Sequence, residues 1–149
     1  MEFDGLLGEK LSHSLSPKIH SEILKLMKKE GAYKLFEVNR DTIKDFTEAL
    51  KLLKIKGCNV TIPYKKDIMK YVDIISDEAN KIGAINTVYL NEGKLYGYNT
   101  DYFGFGYMLK VSNIDVKDKI AVILGNGGAS RAVLHYLLDN NAKEVYIVS

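Results

Sequence analysis

Three polar residues stand at the end of one apolar stretch and have the types needed to handle a polar substrate. The apolar stretch 52–60 leads into Asn59, Thr61 and Lys65. Pro63 ends the predicted strand because proline has no N–H to donate and fixes its own φ. We therefore expect these side chains at the carboxyl end of a strand, where open α/β sheets place their ligands. A lysine there can exchange a proton, although an ordinary strand end with a solvated lysine explains this segment alone equally well.

Alternating strands and helices are predicted to position these residues. Strands are predicted at 3–8, 33–38, 55–62, 84–90, 94–98, 119–124 and 144–148. Helices are predicted at 17–30, from a cap at Asp41 to about Leu53, and at 66–72, 77–82, 101–110 and 129–138. This alternation predicts an α/β fold, namely a three-layer αβα domain with a mostly parallel sheet. The turn at 91–93 predicts an antiparallel hairpin, so the sheet should be mixed.

A glycine-rich turn follows the strand predicted at 119–124. Gly125 permits a tight turn, and Gly127 and Gly128 let the backbone approach a diphosphate at the amino end of the next helix. Ser130 occupies the usual third glycine position, so the general dinucleotide-binding pattern is imperfect. Strand, turn, helix and second strand together predict the first βαβ unit of a Rossmann domain. The turn by itself fits dinucleotide binding and a plain strand-to-helix connection about equally.

Composition and charge exclude several other classes of protein. The 149 residues are 46% hydrophobic and 27% charged, with a net charge of +2, as in an ordinary globular protein. This balance gives no reason to expect a nucleic-acid or membrane partner. One cysteine excludes an internal disulfide and a cysteine-rich metal site, and no residue spacing suggests a metal or a nucleophile–base pair. No apolar stretch is long enough to predict a membrane span or leader, so we expect a cytoplasmic protein.

Five segments, in this order, resemble those of the shikimate dehydrogenase family. They are the serine-rich segment 12–17, the lysine segment 59–65, Gly-Ala-Ile-Asn-Thr at 83–87, Gly-Tyr-Asn-Thr-Asp at 97–101, and the glycine turn 125–131. Each motif alone is weak, but five in order are specific. The resemblance runs from about residue 5 to the last residue.

The resemblance implies reversible, NADPH-dependent reduction of 3-dehydroshikimate to shikimate, a step of aromatic amino-acid (chorismate) biosynthesis. It implies that Lys65 donates the proton and that Asp101 orients the ammonium or shares its proton. It further implies a substrate carboxylate held by Ser14 and Ser16. The ring hydroxyls would be held by Asn59, Thr61 and Asn86, and the NADP cofactor by Gly125, Asn126, Gly127, Gly128 and Ala129.

Simpler roles remain open for three of these residues. Ser16, followed by Pro17, is also a good N-cap for the first helix. Asp101 is equally suited to cap the helix that begins there, and Asn86 to form a turn.

Two domains are expected, a shikimate-binding catalytic domain at 1–111 and an incomplete NADP-binding Rossmann domain at 119–149. The second domain would leave apolar faces uncovered, so the sequence is expected to be the first half of an enzyme. Two alternatives stay open: a shikimate-binding module without catalysis, and a quinate or shikimate dehydrogenase that uses NAD. The only partner expected is a small-molecule substrate, although a homodimer would be one way to complete a cleft.

Overall fold

The computed structural model describes residues 2–149, which form a six-stranded sheet, a two-stranded sheet and five α-helices. The strands are β1 Glu2–Gly8, β2 Gly31–Glu37, β3 Gly57–Val60, β4 Ile74–Ile75, β5 Thr87–Asn91, β6 Lys94–Tyr98, β7 Ile120–Leu124 and β8 Glu144–Val148. The helices are α1 Ser16–Leu26, α2 Ile43–Leu52, α3 Asp77–Ile82, α4 Asp101–Val111 and α5 Gly128–Asp139. Two 3₁₀ helices lie at Arg40–Thr42 and Asp67–Tyr71.

The large sheet is mixed, as predicted. Its strand order is β2-β1-β3-β5-β6-β4. Strand β1 runs parallel to both β2 and β3, and β4 runs parallel to β6. Strand β5 is antiparallel to β3 and to β6. The carboxyl end of β3 therefore meets the amino end of β5, and the polar residues at these two ends come together.

Helices cover both faces of the large sheet, which confirms the three-layer α/β prediction. On one face, Leu7 and Val60 are paired across β1 and β3 and pack into the core with Ile43 and Leu50 of α2. Side chains alternate between the two faces along a strand, so Asp4 of β1 and its partner Tyr33 of β2 belong to the opposite face. Helix α1 covers that face.

Strands β7 and β8 are parallel and joined by α5, which makes the predicted βαβ unit. Helix α5 packs on the first unit at two places. Ala132 is buried against Ile82 and Ala84. Tyr136 lies against Gly106 of α4, where an added Cβ would be 2.2 Å from the tyrosine ring. Ile120 and Val122 of β7 are each 60% exposed, as expected for a sheet with one uncovered face.

The first helix differs from its prediction. It begins at Ser16 with Leu15 as the N-cap, so Ser16 is not the cap. It ends at Leu26, four residues earlier than predicted, because the chain turns back at Lys28, whose φ is +53°, and Gly31 already belongs to β2. None of the 11 residues of α1, all of them described, is buried.

Three other element predictions need correction. Thr42, and not Asp41, is the N-cap of α2, because Asp41 lies inside a 3₁₀ turn. Strand β3 is shorter than the predicted 55–62, and the predicted helix 66–72 is a 3₁₀ helix. Strand β4 was not predicted. Met1, at the start of the expected domain 1–111, lies outside the described residues.

Candidate active site

The site forms where the loop after β3 meets the segment before β5. The N–H of Val60 donates to the carbonyl of Asn86 at 2.7 Å, and the N–H of Ile85 donates to the carbonyl of Lys65 at 2.7 Å. Val60 and Lys65 are thus both tied by their backbone to Ile85 and Asn86, the two residues just before β5. The Tyr64 side chain is fully buried and its hydroxyl donates to the Val38 carbonyl, which anchors the residue before Lys65.

Lys65 and Asp101 form an ion pair. Lys65 Nζ lies 2.7 Å from Asp101 Oδ2, and the side chains are 17% and 34% exposed. Asp101 is the first residue of α4, where the helix dipole favours a negative charge. Thr100 is the N-cap of this helix, so Asp101 is not merely a capping residue. The structure thus brings together the two residues that the sequence analysis assigned to proton transfer.

Asn86 is buried and links Asp101 to the strand ends. Its Nδ2 donates to Asp101 Oδ1 at 2.8 Å and to Thr100 Oγ1 at 3.0 Å. Its Oδ1 accepts the N–H of Thr100 at 2.9 Å and the hydroxyl of Thr87 at 2.9 Å. Asn86 is therefore a fixed member of the site and not a surface turn residue. Fully buried Asn99 supports the same corner, because its Oδ1 accepts the N–H of Asp101 at 3.1 Å.

The two residues at the end of β3 take different positions. Asn59 lies on the same sheet face as Thr87, its partner on β5, and its Nδ2 is 3.5 Å from Thr87 Oγ1. The N–H of Thr61 donates to the Leu7 carbonyl at 2.9 Å. The Thr61 methyl group lies beside Gly8, where an added Cβ would be 2.9 Å away.

The serine segment, residues 12–17, runs from the loop after β1 into the first two residues of α1. Ser14 Oγ accepts the N–H of Ser16, the first residue of α1, at 3.2 Å. The side chain of Ser14, and not that of Ser16, therefore satisfies an N–H at the start of this helix. The loop is tied to the sheet by the N–H of Leu11, which donates to Glu37 Oε1 at 2.7 Å. Ser14 and Ser16 are both half-buried.

Sequence reasoning missed Tyr33 on β2. Its hydroxyl donates to Asn59 Oδ1 at 2.8 Å, and its ring stacks on that of His20 with centroids 3.9 Å apart. Burial raises the pKa of Tyr33 to about 12, although a hydrogen bond with Ser16 opposes the shift. The alternating pattern of β2 could have placed Tyr33 on the face opposite the core, but it could not have shown which residue it meets there.

The glycine turn lies directly beside Lys65. Gly125 has a φ of +98°, a value that favours glycine, and Gly127 is the N-cap of α5. An added Cβ at Gly127 would meet no heavy atom of the described residues within 4 Å, whereas one at Gly128 would be 3.2 Å from Lys65 Cδ. Asn126 and Ala129 are exposed on the same turn. An open glycine turn at the amino end of a 12-residue helix fits a diphosphate group.

Residues 2–149 contain no group of three or more His, Cys, Asp or Glu residues arranged to hold a metal ion. In the same residues, no helix combines the length and the apolar character needed to cross a membrane.

Fold and site together define a two-part α/β protein whose polar site lies between a mixed sheet and a glycine-rich turn. Residues 6–88 match the family described as the shikimate dehydrogenase substrate binding domain. The chain belongs to this family.

Individual relatives agree with the family match. The chain is 62% identical over 149 residues to shikimate dehydrogenase (NADP(+)) of Clostridium beijerinckii. The alignment covers 100% of this chain and 55% of that protein. A crystal structure of shikimate dehydrogenase 1 from Peptoclostridium difficile is 54% identical, with a TM-score of 0.95, over 100% of this chain and 55% of that one. A crystal structure of the enzyme from Thermus thermophilus, in complex with NADP(H) and shikimate, is 35% identical to this chain, with a TM-score of 0.91. The match covers 100% of this chain and 57% of that one. The chain thus spans about half the length of the relatives it matches.

Proposed function

We propose that this chain provides the substrate site and the proton-transfer pair of a shikimate dehydrogenase. The reaction is the reversible, NADPH-dependent reduction of 3-dehydroshikimate to shikimate in aromatic amino-acid biosynthesis. One observation carries the proposal: the Lys65–Asp101 pair, 2.7 Å apart, lies against the glycine turn at Gly128. Reduction of a carbonyl by a nucleotide cofactor requires a proton donor beside the nucleotide site. The Lys65–Asp101 pair and the glycine turn provide this arrangement.

Lys65 supplies the proton. Bound NADPH would supply the hydride that the carbonyl carbon accepts. The carbonyl oxygen takes a proton from the Lys65 ammonium, and the reverse reaction returns that proton to the lysine. Asp101 holds the ammonium in place through Oδ2 while its Oδ1 is held by Asn86. The carboxylate is therefore fixed on both sides, and Lys65 is kept in one orientation.

The polar residues around this pair suit a cyclic polyhydroxy acid. Ser14 and Ser16 offer hydroxyl donors for the carboxylate. Asn59 and Thr61 offer amide and hydroxyl groups that both donate and accept, as ring hydroxyls require. Asn86, the third residue assigned to the ring hydroxyls, would exchange a hydrogen bond to Thr100 or Asp101 for one to the substrate. The name of the Thermus thermophilus structure includes shikimate, which supports this choice of acid.

The cofactor would be NADP, held at its diphosphate by Gly125, Asn126, Gly127, Gly128 and Ala129. The names of the relatives from Clostridium beijerinckii and Clostridium perfringens both specify NADP(+). Under this proposal residues 1–111 form the substrate domain and residues 119–149 begin the nucleotide domain. The connecting residues 112–119 lie between α4 and β7.

A second candidate is binding of shikimate without hydride transfer. The same substrate residues serve both candidates, so only turnover separates them.

Two measurements test the proposal. The first is an NMR titration of the 149-residue chain with shikimate. The second follows shikimate-dependent NADP⁺ reduction by absorbance, on the chain alone and on a fusion with the part of the Clostridium beijerinckii enzyme that the chain does not cover. We expect shikimate binding by the chain and turnover by the fusion.

Two variants identify the proton-transfer pair in the fusion. Lys65→Ala should lower kcat by about 10²–10⁴-fold, the usual contribution of a general acid. Asp101→Asn keeps an oxygen for Asn86 but loses the ion pair, so it should lower kcat far more than it weakens shikimate binding. Binding with no turnover by the fusion would leave the second candidate. A folded fusion that neither binds shikimate nor turns it over would overturn both.

A further inference from the structure

We propose that Tyr33, held by His20, is a positioning residue that sets the orientation of the Asn59 amide toward the substrate. The inference rests on the proposed function, because it assumes that Asn59 meets a ring hydroxyl. It adds a residue on β2 to a site otherwise built from the serine segment, β3, β5 and the start of α4.

The contact between Tyr33 and Asn59 follows from the sheet register. Asp4 on β1 pairs with Tyr33 on one side and with Gly57 on the other, so all three lie in one row of one sheet face. Asn59 is two residues beyond Gly57 and projects from the same face. The Tyr33 side chain crosses β1 over this face and donates its hydroxyl proton to Asn59 Oδ1 at 2.8 Å.

This hydrogen bond decides which end of the amide remains available. Asn59 Oδ1 is already engaged by Tyr33, so the amide NH₂ is turned away from β2. Its one hydrogen bond among the described residues is to Thr87 Oγ1 at 3.5 Å, which is long and therefore weak. Thr87 Oγ1 in turn donates to Asn86 Oδ1 at 2.9 Å. The NH₂ group is thus presented as a donor on the side of Asn86, where the substrate is proposed to lie.

His20 holds the tyrosine ring. The two rings are stacked with centroids 3.9 Å apart and an interplanar angle of 12°. His20 belongs to α1, which directly follows the serine segment, so the stack joins the proposed carboxylate-binding residues to the proposed hydroxyl-binding residue.

The phenol stays protonated over the whole physiological range. Burial raises the pKa of Tyr33 to about 12. It is therefore a permanent donor to Asn59 Oδ1, and the orientation of the amide should not change with pH between about 6 and 9 by this route.

The test compares Tyr33→Phe with the unaltered 149-residue chain. Phenylalanine keeps the ring and its stack on His20 but removes the hydroxyl. The first readout, in the ligand-free chain, is the NMR signal of the Asn59 side-chain NH₂. The second is the binding of two acids, shikimate and cyclohex-1-ene-1-carboxylate, which has the carboxylate without the ring hydroxyls.

We expect the Asn59 NH₂ signal to shift in Tyr33→Phe. Shikimate binding should weaken about fivefold, the effect of one ordinary hydrogen bond. Binding of the hydroxyl-free acid should stay within about twofold. Asn59→Ala should weaken shikimate binding in the same selective way. Adding Tyr33→Phe to Asn59→Ala should not weaken shikimate binding any further. His20→Ala should reproduce part of the loss, whereas His20→Phe, which keeps a stacking ring, should restore binding.

Tyr89→Phe is the matched control. Tyr89 is 41% exposed on β5 and lines the same 240 Å³ cavity as Tyr33, so it reports any general effect of removing a phenol there. It should leave both acids bound as before. Equal loss of both acids in Tyr33→Phe, or an unchanged Asn59 signal, would overturn the inference while the proposed function stands. If neither the unaltered chain nor the fusion binds shikimate, the proposed function fails as well.

Discussion

Gly128 of α5 faces the side chain of Lys65 across the two parts of the molecule. An added Cβ at Gly128 would lie 3.2 Å from Lys65 Cδ and 3.9 Å from Lys65 Cβ. The first residue of α5 therefore limits the space beside the aliphatic part of the Lys65 side chain. The small size of this glycine has a role separate from any approach of a diphosphate.

Gly128→Ala should displace the Lys65 side chain. The added methyl group forces the aliphatic part of Lys65 to move by a few tenths of an ångström, which disturbs its ion pair with Asp101. The NMR signals of the Lys65 CεH₂ group should shift, and kcat of the fusion enzyme should fall about tenfold. Gly127→Ala is the control for the first readout, because an added Cβ there meets no described heavy atom within 4 Å. Equal Lys65 shifts in both variants would refute this account.

Asn86→Ala should destabilise the fold as well as weaken binding. It removes the acceptor of the Thr100 N–H and a donor to Asp101, both within a buried corner. The free energy of unfolding should fall by about 1–3 kcal/mol, measured by urea denaturation at pH 7. Asn91→Ala, on the exposed hairpin turn, should change it by less than about 0.5 kcal/mol. A similar small change for both variants would mean that the Asn86 network is not structurally important.

Gly106→Ala should weaken the packing of α5 against α4. An added Cβ at Gly106 would lie 2.2 Å from the Tyr136 ring, so the two helices must separate or the ring must turn. Overpacking of this kind usually costs about 1–3 kcal/mol. Gly104→Ala is the control. Gly104 lies about half a turn from Gly106 in the same helix, and an added Cβ there meets no neighbouring side chain of the described residues within 4 Å. The substitution should stabilise the chain by up to about 1 kcal/mol, because alanine is the better helix former. The melting temperature should therefore fall in Gly106→Ala and rise in Gly104→Ala.

Asp73→Asn should reduce stability at neutral pH and have little effect in acid. Asp73 Oδ2 accepts the N–H of Leu95 at 2.7 Å and lies 3.0 Å from Lys51 Nζ. The Leu95 hydrogen bond, followed by Lys51, lowers the pKa of Asp73 below its ordinary 3.8. Because the folded-state pKa is the lower one, the stabilisation is fully present above pH 3.8 and is lost as the pH falls through the folded-state value.

Urea denaturation at pH 7 and at pH 3 measures this effect. The variant should be less stable than the unaltered chain by about 1 kcal/mol at pH 7, a figure reduced for the exposure of the pair. The difference should shrink at pH 3. Glu48→Gln, an exposed change on α2, should show no such dependence. A difference of equal size at both pH values would contradict the assignment.

Local signals in the sequence were sufficient for several elements. Helix α3 has the predicted bounds, because Gly83 ends it with a left-handed conformation, a strong and local stop signal. The glycine turn after β7 was also predicted from a local signal, because Gly125 takes a backbone conformation that favours glycine. The pairing of Lys65 with Asp101 followed from the family resemblance, since the two residues are 36 positions apart and no local pattern joins them.

Other features depend on contacts that a single sequence does not display. The left-handed residue after α1 is Lys28 and not a glycine, so composition gave no sign of the early helix end. The role of Tyr33 depends on the register of three strands at once, with Asp4 of β1 paired to both neighbours. Ile19 and Leu26 of α1 are spaced as on one side of an amphipathic helix but remain 54% and 83% exposed, because such spacing does not identify what covers the apolar side.

Helix α1, which buries none of its described residues, should exchange its amide hydrogens through local opening, independently of the central strands. The serine segment lies at the start of this helix. A ligand that contacts Ser14 or Ser16, as proposed for shikimate, would restrain the start of α1 and reduce this local opening. Shikimate should therefore slow hydrogen exchange throughout α1, well beyond the residues it touches.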